Sequence, residues 1–291
     1  MLSSAVLIAL VYYLFIRPFE FEVNLKAYTL PGDVIETIRI WNRSLDSAKI
    51  LEVDSFSRLK QTMVWGKRKY IYDWHFVIIN DSTTKVHIQI SQPDRSLLNK
   101  LLIPFTSQAI ERDANDVVSR FYDILKTHLE ITNVKLMGEV ELDSTFCICR
   151  SLETKQIEKA NGMMRDYSLL TSFIIDFKLI AKGPPMVRIQ QWNHNLGLLR
   201  FDFCFPVSLT DSLPLSKSIT YKGFKRQKVL KAEYHGNYIT SDRAWYELIH
   251  YAEKNGYKTN GLPVEYFYDN PNSGMNEEGW KADIYLPIED Q

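Results

Sequence analysis

The sequence has no excess of charge of either sign, because 35 lysines and arginines balance 35 aspartates and glutamates. A protein that holds nucleic acid through its phosphates usually presents a basic surface, and a chain without net charge offers no large field of that kind. We therefore expect no nucleic acid partner. With 45% hydrophobic residues the chain is too apolar to be disordered, and its 291 residues are enough for two globular domains.

The sequence contains only three cysteines, an odd number, and these are Cys147, Cys149 and Cys204. A disulfide framework or a zinc site usually shows more cysteines, or cysteines and histidines at short fixed spacings. On a strand, Cys147 and Cys149 would point to the same side. We interpret all three as small buried apolar side chains.

Recognisable catalytic motifs are missing as well. The sequence contains no G-x-S-x-G nucleophile elbow, no phosphate-binding glycine loop and no H-E-x-x-H helix. The six histidines are scattered, and His235 and His250 do not have the spacing of metal ligands. We expect neither a metal nor a cofactor, and the residues favour a binding protein over an enzyme without deciding between them.

The N-terminus carries the one long apolar run, since no charged residue lies between Leu2 and Ile16. As a helix this run would span about 22 Å, which is short of the roughly 30 Å hydrocarbon core of a bilayer. Arg17 could extend it by reaching the interface. The residues lack the basic start and cleavage site of a secretory signal. We predict a single-pass membrane anchor over residues 1–17, with the side of the membrane left open.

Residues 18–132 show a different pattern. Apolar and polar residues alternate from Phe19 to Tyr28, which predicts a half-buried strand, and Pro31-Gly32-Asp33 opens a short helix. Apolar residues at helical spacing predict a long amphipathic helix over 107–130. Between these helices the sequence predicts strands around 50–56, 61–64, 70–80 and 85–90.

This order of elements resembles the START-like or SRPBCC superfamily over residues 19–131. The residues that carry the resemblance are Val23 to Ile38, Tyr72-Asp73-Trp74-His75-Phe76, Thr83-Thr84-Lys85-Val86-His87 and the final helix. The resemblance implies a helix-grip fold that encloses a cavity for a hydrophobic molecule. Trp74 and Phe76 either line such a cavity or fill a core.

The C-terminal half contains one short pattern twice. A turn followed by an apolar strand, and then a second strand closed by proline, recur after roughly 80 residues. The segments are Gly183 to Val187 with Asp202 to Val207, and Gly261 to Glu265 with Asp283 to Ile288. Together with a helix in each copy, they predict a duplicated unit of strand, helix, strand and strand. The two copies differ at one position in polarity, because Val187 in the first corresponds to Glu265 in the second.

The second copy resembles the GyrI-like family, also called the AraC effector-binding domain. The resemblance covers residues 133–288 and rests on Tyr234-His235-Gly236-Asn237-Tyr238, Trp245, Asn255-Gly256-Tyr257, Pro263 to Phe267 and Asp283 to Pro287. It implies binding of small organic molecules, often cationic and aromatic, in a groove whose acidic residue corresponds to Glu265. Some similar proteins hydrolyse strained cyclopropane-containing compounds.

Glu265 is the residue on which the functional interpretation depends. On an extended strand it shares one face with Phe267, while Val264 and Tyr266 share the other. If helices cover the Val264 face, Glu265 projects into an open groove and needs a cation or a donor to compensate its burial. Aromatic faces would strengthen the binding of a flat cation there. The candidate aromatic residues are Phe267, Tyr285, Trp192, Tyr167 and Trp245. The alternative is that Glu265 pairs with a resident residue and holds the sheet together.

The sequence thus predicts an α+β protein with an anchor helix over 1–17, a START-like domain over 18–132 and a GyrI-like domain with a pseudo-twofold groove over 133–291. The expected function is that of a membrane-anchored protein that binds a small hydrophobic or cationic organic ligand. Two alternatives stay open. One is a hydrolase of small hydrophobic electrophiles with Glu265 as general base, and the other is a scaffold for a protein partner.

Overall fold

The structure is a computed structural model that describes residues 2–210, 213–271 and 276–289. The chain divides into two compact units, Met1–His128 and Leu129–Gln291. The described residues form six α-helices and two antiparallel sheets, so the fold class is mixed α and β.

The predicted membrane anchor is wrong. Helix α1 covers only Leu2–Val11, and a turn of π-helix over Tyr12–Ile16 follows it. Lys100 donates hydrogen bonds to the carbonyl oxygens of Leu14 and Arg17, where the π-helical turn ends. Among the described residues, no helix is both long enough and apolar enough to cross a membrane. The membrane localisation inferred from the apolar run is therefore corrected along with the anchor.

The N-terminal unit contains a five-stranded sheet in the order β1-β5-β4-β3-β2. Helix α2 follows the first strand, and helices α3 and α4 follow the last. The strands are β1 (Phe21–Ala27), β2 (Ala48–Asp54), β3 (Arg58–Trp65), β4 (Arg68–Asn80) and β5 (Thr83–Ser91), and the helices are α2 (Pro31–Arg43), α3 (Ser96–Leu102) and α4 (Ala109–Glu130).

The core of this unit lies between its sheet and the helices α2 and α4. Trp74 of β4 is fully buried, and its ring meets that of Phe121 of α4 edge to face with centroids 5.0 Å apart. Trp41 of α2 packs on the same phenylalanine at 5.5 Å. Trp74 therefore fills a core position. The START-like assignment itself stays a prediction.

The C-terminal unit is built on an eight-stranded sheet in the order β10-β7-β9-β8-β12-β13-β11-β6. Two helices accompany it, α5 (Lys159–Asp176) and α6 (Arg243–Asn255). The strands are β6 (Asn133–Leu142), β7 (Thr145–Lys155), β8 (Met186–Asn193), β9 (Leu198–Pro206), β10 (Thr220–Phe224), β11 (Gln227–His235), β12 (Val264–Phe267) and β13 (Lys281–Pro287).

The predicted duplicated order of strand, helix, strand and strand occurs twice in this unit. The first copy runs β7, α5, β8, β9, and the second runs β11, α6, β12, β13. In the sheet the two copies meet at the pair β8 and β12, where Val187 lies directly opposite Glu265. The one position at which the copies differ in polarity therefore lies at their junction.

The two faces of this sheet have different cores. One face carries the large apolar core, to which both α5 and α6 contribute, and the other carries a smaller cluster that contains all three cysteines. Cys149 and Cys204 are register partners on β7 and β9 and form a disulfide, while Cys147 is a buried free thiol. The prediction that all three cysteines are buried is confirmed. The prediction was wrong in leaving out a disulfide, which Cys149 and Cys204 form.

Candidate functional site

Glu265 lies on the helix-covered face of the sheet. Phe267 shares this face, and the register partners Val187 and Ile284 are also part of the core there. The carboxylate is fully buried, with 0% of the residue exposed. Because the helices cover the Glu265 face rather than the Val264 face, the predicted open groove at this residue does not exist.

Both carboxylate oxygens of Glu265 are already bound within the chain. Lys159, the first residue of α5, forms an ion pair with Oε2 and is itself only 1% exposed. Oε1 accepts a hydrogen bond from the Ser241 hydroxyl at 2.7 Å and another from the Trp245 indole nitrogen at 3.0 Å. Two elements of the second copy and one of the first thus supply partners for a single carboxylate.

The expectation that Glu265 lacks a resident counter-charge is therefore wrong. An isolated buried carboxylate costs several kcal/mol, and the chain offsets this cost with its own ammonium group and two neutral donors. A general base must also reach a proton of water or substrate. A buried carboxylate with both oxygens occupied does not meet this condition, so the geometry gives the hydrolase hypothesis no support at Glu265.

A pocket of about 160 Å³ lies beside this buried group. One wall is a single face of α5, where Ala160, Met163, Met164 and Tyr167 follow one another at helical spacing. The remaining walls come from one further residue of α5, from the residue before β8, from the sheet and from the loops that follow β11 and β12. These residues are Asn161, Pro185, Phe203, Asn237, Tyr238, Ile239, Phe267, Asp269, Pro271 and Trp280.

The pocket offers aromatic surface and few free polar groups. The Tyr238 hydroxyl donates to the Lys281 carbonyl at 2.8 Å and accepts from the Asp269 amide at 3.0 Å. Burial raises the pKa of Tyr238, so this phenol stays protonated. Trp280 is 7% exposed, and within the described ranges its indole nitrogen has no hydrogen-bond partner. Such a site suits an apolar aromatic body.

The structure separates the aromatic residues that the sequence grouped together. Phe267 and Tyr167 line the pocket. Trp245 binds Glu265, and Trp192 packs edge to face on Trp245 with ring centroids 5.1 Å apart. Tyr285 lies on the opposite face of the sheet, beside a different cleft of about 550 Å³.

Tyr285 has a structural partner on that opposite face. Its hydroxyl donates to Asp283 at 3.2 Å, and burial raises its pKa, so it stays a protonated donor. The side chain therefore belongs to a hydrogen-bonded cluster around Asp283, and it contributes nothing to the pocket beside Glu265.

Two residues of the site were missed by sequence reasoning, Lys159 and Ser241. Lysine in the first turn of a helix is usually solvated, and serine before a helix is usually a cap. Neither residue type signals a buried ion pair. The only indication was that Glu265, if buried, needed some partner.

The part of the chain that the structure describes contains no group of three or more His, Cys, Asp and Glu side chains placed to hold a metal ion. In the Glu265 cluster a lysine ammonium occupies the position beside the carboxylate.

Solved structures that are similar to this chain include three with different descriptions. The EcmrR C-terminal domain is 13% identical, with 55% of this chain and 99% of that chain covered and a TM-score of 0.45. SAV2435 bound to tetraphenylphosphonium is 15% identical, with coverages of 53% and 94% and a TM-score of 0.39. A hydrolase from Listeria innocua is 10% identical, with coverages of 56% and 98% and a TM-score of 0.37.

No curated protein matches the sequence. The model of the family of GyrI-like small molecule binding domains matches residues 183–289. This range includes β8, β9 and all of the second copy. It also includes the pocket-lining residues from Pro185 onward. This stretch of the chain is therefore similar to GyrI-like small molecule binding domains.

Proposed function

We propose that the C-terminal unit binds a neutral, largely apolar aromatic molecule in the pocket between α5 and β12. The observation that carries this proposal is the lining, in which Tyr167, Phe203, Tyr238, Phe267 and Trp280 converge on one space. Rigid aromatic walls bind a flat apolar ligand at low entropic cost. The family match supports small-molecule binding in general.

The neutrality of the ligand follows from the charges around the pocket. Glu265, on the same strand and face as the lining residue Phe267, is neutralised by Lys159 and has no exposed surface. Asp269 lies in the lining, but its carboxylate accepts a hydrogen bond from the Lys281 amide at 2.6 Å and is held at the loop. A ligand with a formal charge would lose its hydration at the inner wall without gaining an ion pair with Glu265 in return.

The proposal is tested with the neutral fluorescent probe N-phenyl-1-naphthylamine and one pair of variants on α5. Met164 lines the pocket and is 39% exposed, so Met164→Lys places a charge at the pocket without disturbing a core. Leu169 is 41% exposed on the same helix and does not line the pocket, so Leu169→Lys is the matched control.

We expect the wild type to bind the probe, Met164→Lys to bind it at least tenfold more weakly, and Leu169→Lys to bind it like the wild type. The measurement is a fluorescence titration on the full chain. Equal affinity of the two variants would place the probe elsewhere and contradict the proposal.

A further inference from the structure

The groups around the Lys159 ammonium are those that bind a cationic headgroup. Its Nζ donates to the Ser241 hydroxyl at 2.8 Å and forms the ion pair with Glu265. It also lies 4.5 Å from the centroid of the Trp245 ring and 5.9 Å from that of Phe267. We call Glu265, Ser241, Trp245 and Phe267 the ammonium cage.

Each component of the ammonium cage recognises positive charge in a different way. The carboxylate neutralises it, the serine oxygen accepts one of its hydrogen bonds, and the aromatic faces attract it through their quadrupoles. Since the lysine side chain is 1% exposed and Glu265 0%, these interactions act without competition from water. A second cation in the same place would meet a like charge in a desolvated space.

The ammonium cage adjoins the aromatic pocket. The Phe267 side chain belongs to both, since it lines the pocket and lies within reach of the ammonium. Ala160, the neighbour of Lys159 on α5, lines the pocket as well. Truncation of the lysine would therefore add volume next to the pocket and leave a carboxylate without its counter-charge there.

We infer that Lys159 sets the charge selectivity of this site, because the chain fills a cage for an ammonium group with its own lysine and so excludes cationic ligands. The inference rests on the proposed function for the position of the ligand body alone. The ammonium cage itself can be tested with a small cation and no ligand.

The first experiment uses Lys159→Ala with ethylammonium chloride as the probe, against sodium chloride at the same ionic strength. We expect ethylammonium to raise the midpoint of thermal unfolding of this variant by several degrees more than sodium does. The wild type and Lys159→Met, in which the space stays filled, should show no such difference. Lys159→Ala combined with Glu265→Gln should lose the response, because the neutral amide no longer needs a cation.

The result that overturns the inference is equal stabilisation of Lys159→Ala by sodium and ethylammonium, or a wild type that responds as the variant does. If Lys159→Ala does not fold in buffer alone, the same comparison is made on the yield of folded protein after refolding. Recovery with ethylammonium supports the inference, and no recovery with it overturns the inference.

The second experiment compares benzyltrimethylammonium with its uncharged isostere neopentylbenzene by equilibrium dialysis against the wild type. We expect the neutral compound to bind at least tenfold more tightly. Equal or tighter binding of the cation overturns the inference. If neither compound binds, the proposed function fails at this pocket, and the ethylammonium response alone decides whether the ammonium cage is a cation site.

Discussion

The two copies of the duplicated unit differ on one face of the sheet and agree on the other. On the helix-covered face, Val187 of the first copy is paired directly with Glu265 of the second. On the opposite face, Asp202 of the first copy corresponds to Asp283 of the second, and both are buried at 1% and 4% exposure. The same repeat therefore contains one matched pair of acids and one unmatched acid.

The matched aspartates are held in similar ways. Asp202 accepts hydrogen bonds from Lys222 at 2.7 Å and from the Ser151 hydroxyl at 2.6 Å. Asp283 accepts one from Lys231 at 2.9 Å and others from two tyrosine hydroxyls, those of Tyr268 and Tyr285, at 2.9 and 3.2 Å. Each acid is thus held by a lysine from another strand, β10 or β11, and by neutral donors, although Oδ1 of Asp283 accepts no hydrogen bond within the described residues.

The unmatched acid is held across the copies instead. Lys159 comes from the helix of the first copy, whereas Glu265, Ser241 and Trp245 come from the second. A symmetric interaction can support each half of the sheet by itself, but the asymmetric pair exists only when the halves come together. We therefore infer that the aspartates stabilise the scaffold of each copy, while the ion pair at the junction shapes the site.

The largest effect is expected from making the second copy like the first at the junction, with Glu265→Val. This substitution leaves the Lys159 ammonium buried without a counter-charge, and breaking a buried pair in this way costs about 3–5 kcal/mol. The free energy of unfolding, measured by urea titration of the full chain, should fall by that amount. Adding Lys159→Met should recover most of the loss, because an apolar pair of similar volume does not need charge compensation.

The control is an ion pair on the surface of the same unit, Arg226 with Glu141, whose side chains are 61% and 54% exposed. Glu141→Gln should change the free energy of unfolding by less than about 1 kcal/mol. If Glu265→Val cost no more than this surface change, the buried pair would contribute nothing beyond an exposed one, and the contrast between the copies would lose its energetic basis.

Asp202→Asn and Asp283→Asn should each lower the free energy of unfolding by less than Glu265→Val does, and by similar amounts in the two copies. Each change removes a charged acceptor from a lysine that keeps some contact with water, since Lys222 is 34% and Lys231 21% exposed. A hydrogen bond to a charged group contributes about 1.5–3 kcal/mol, so both variants should lose about 2 kcal/mol in the same urea titrations. A large loss in one copy with none in the other would show that the aspartates are not equivalent.

Much of the C-terminal fold could be predicted because it is written twice in local patterns. Glycine and proline turns next to apolar strands gave the order of strand, helix, strand and strand in each copy. The disulfide could not be predicted, because the number of cysteines does not say that Cys149 and Cys204 become register partners on adjacent strands. The apolar N-terminus led to a wrong prediction because its hydropathy suggested a membrane span. The α-helix covers only Leu2–Val11 and ends before the apolar run does.

The site could be predicted only in part. Glu265 drew attention because it breaks the repeat, and Phe267 and Tyr167 do line a pocket nearby. Its counter-ion was beyond reach, since Lys159 is 106 residues away and belongs to the other copy. Alternation along a strand also gives two faces without saying which one the helices cover, and the wrong choice placed Glu265 in an open groove.

The smallest expected effect is a difference between the copies in how stability depends on pH. Glu233 lies opposite Asp283 in the second copy, as Ser151 lies opposite Asp202 in the first. Hydrogen bonds, first from Lys281 and then from His235, lower the pKa of Glu233 from 4.5 to about 2. Because the folded state holds the ionised form, this group stabilises the fold above pH 4.5 and loses its contribution as the pH falls toward 2. Ser151, at the corresponding position of the first copy, does not ionise in this range and contributes no such pH dependence.

Glu233→Gln should therefore lower the free energy of unfolding at neutral pH and have a vanishing effect near pH 2. The difference at neutral pH should stay below about 1 kcal/mol, because the Glu233 and Lys281 side chains are 26% and 37% exposed and water screens their attraction. Urea titrations from pH 7 down to pH 2 measure it. The control is Glu153→Gln on β7, an exposed residue that forms no ion pair within the described ranges. A difference between Glu233→Gln and the wild type that grows as the pH falls would contradict the sign of this prediction and assign the acid sensitivity of the second copy to another group.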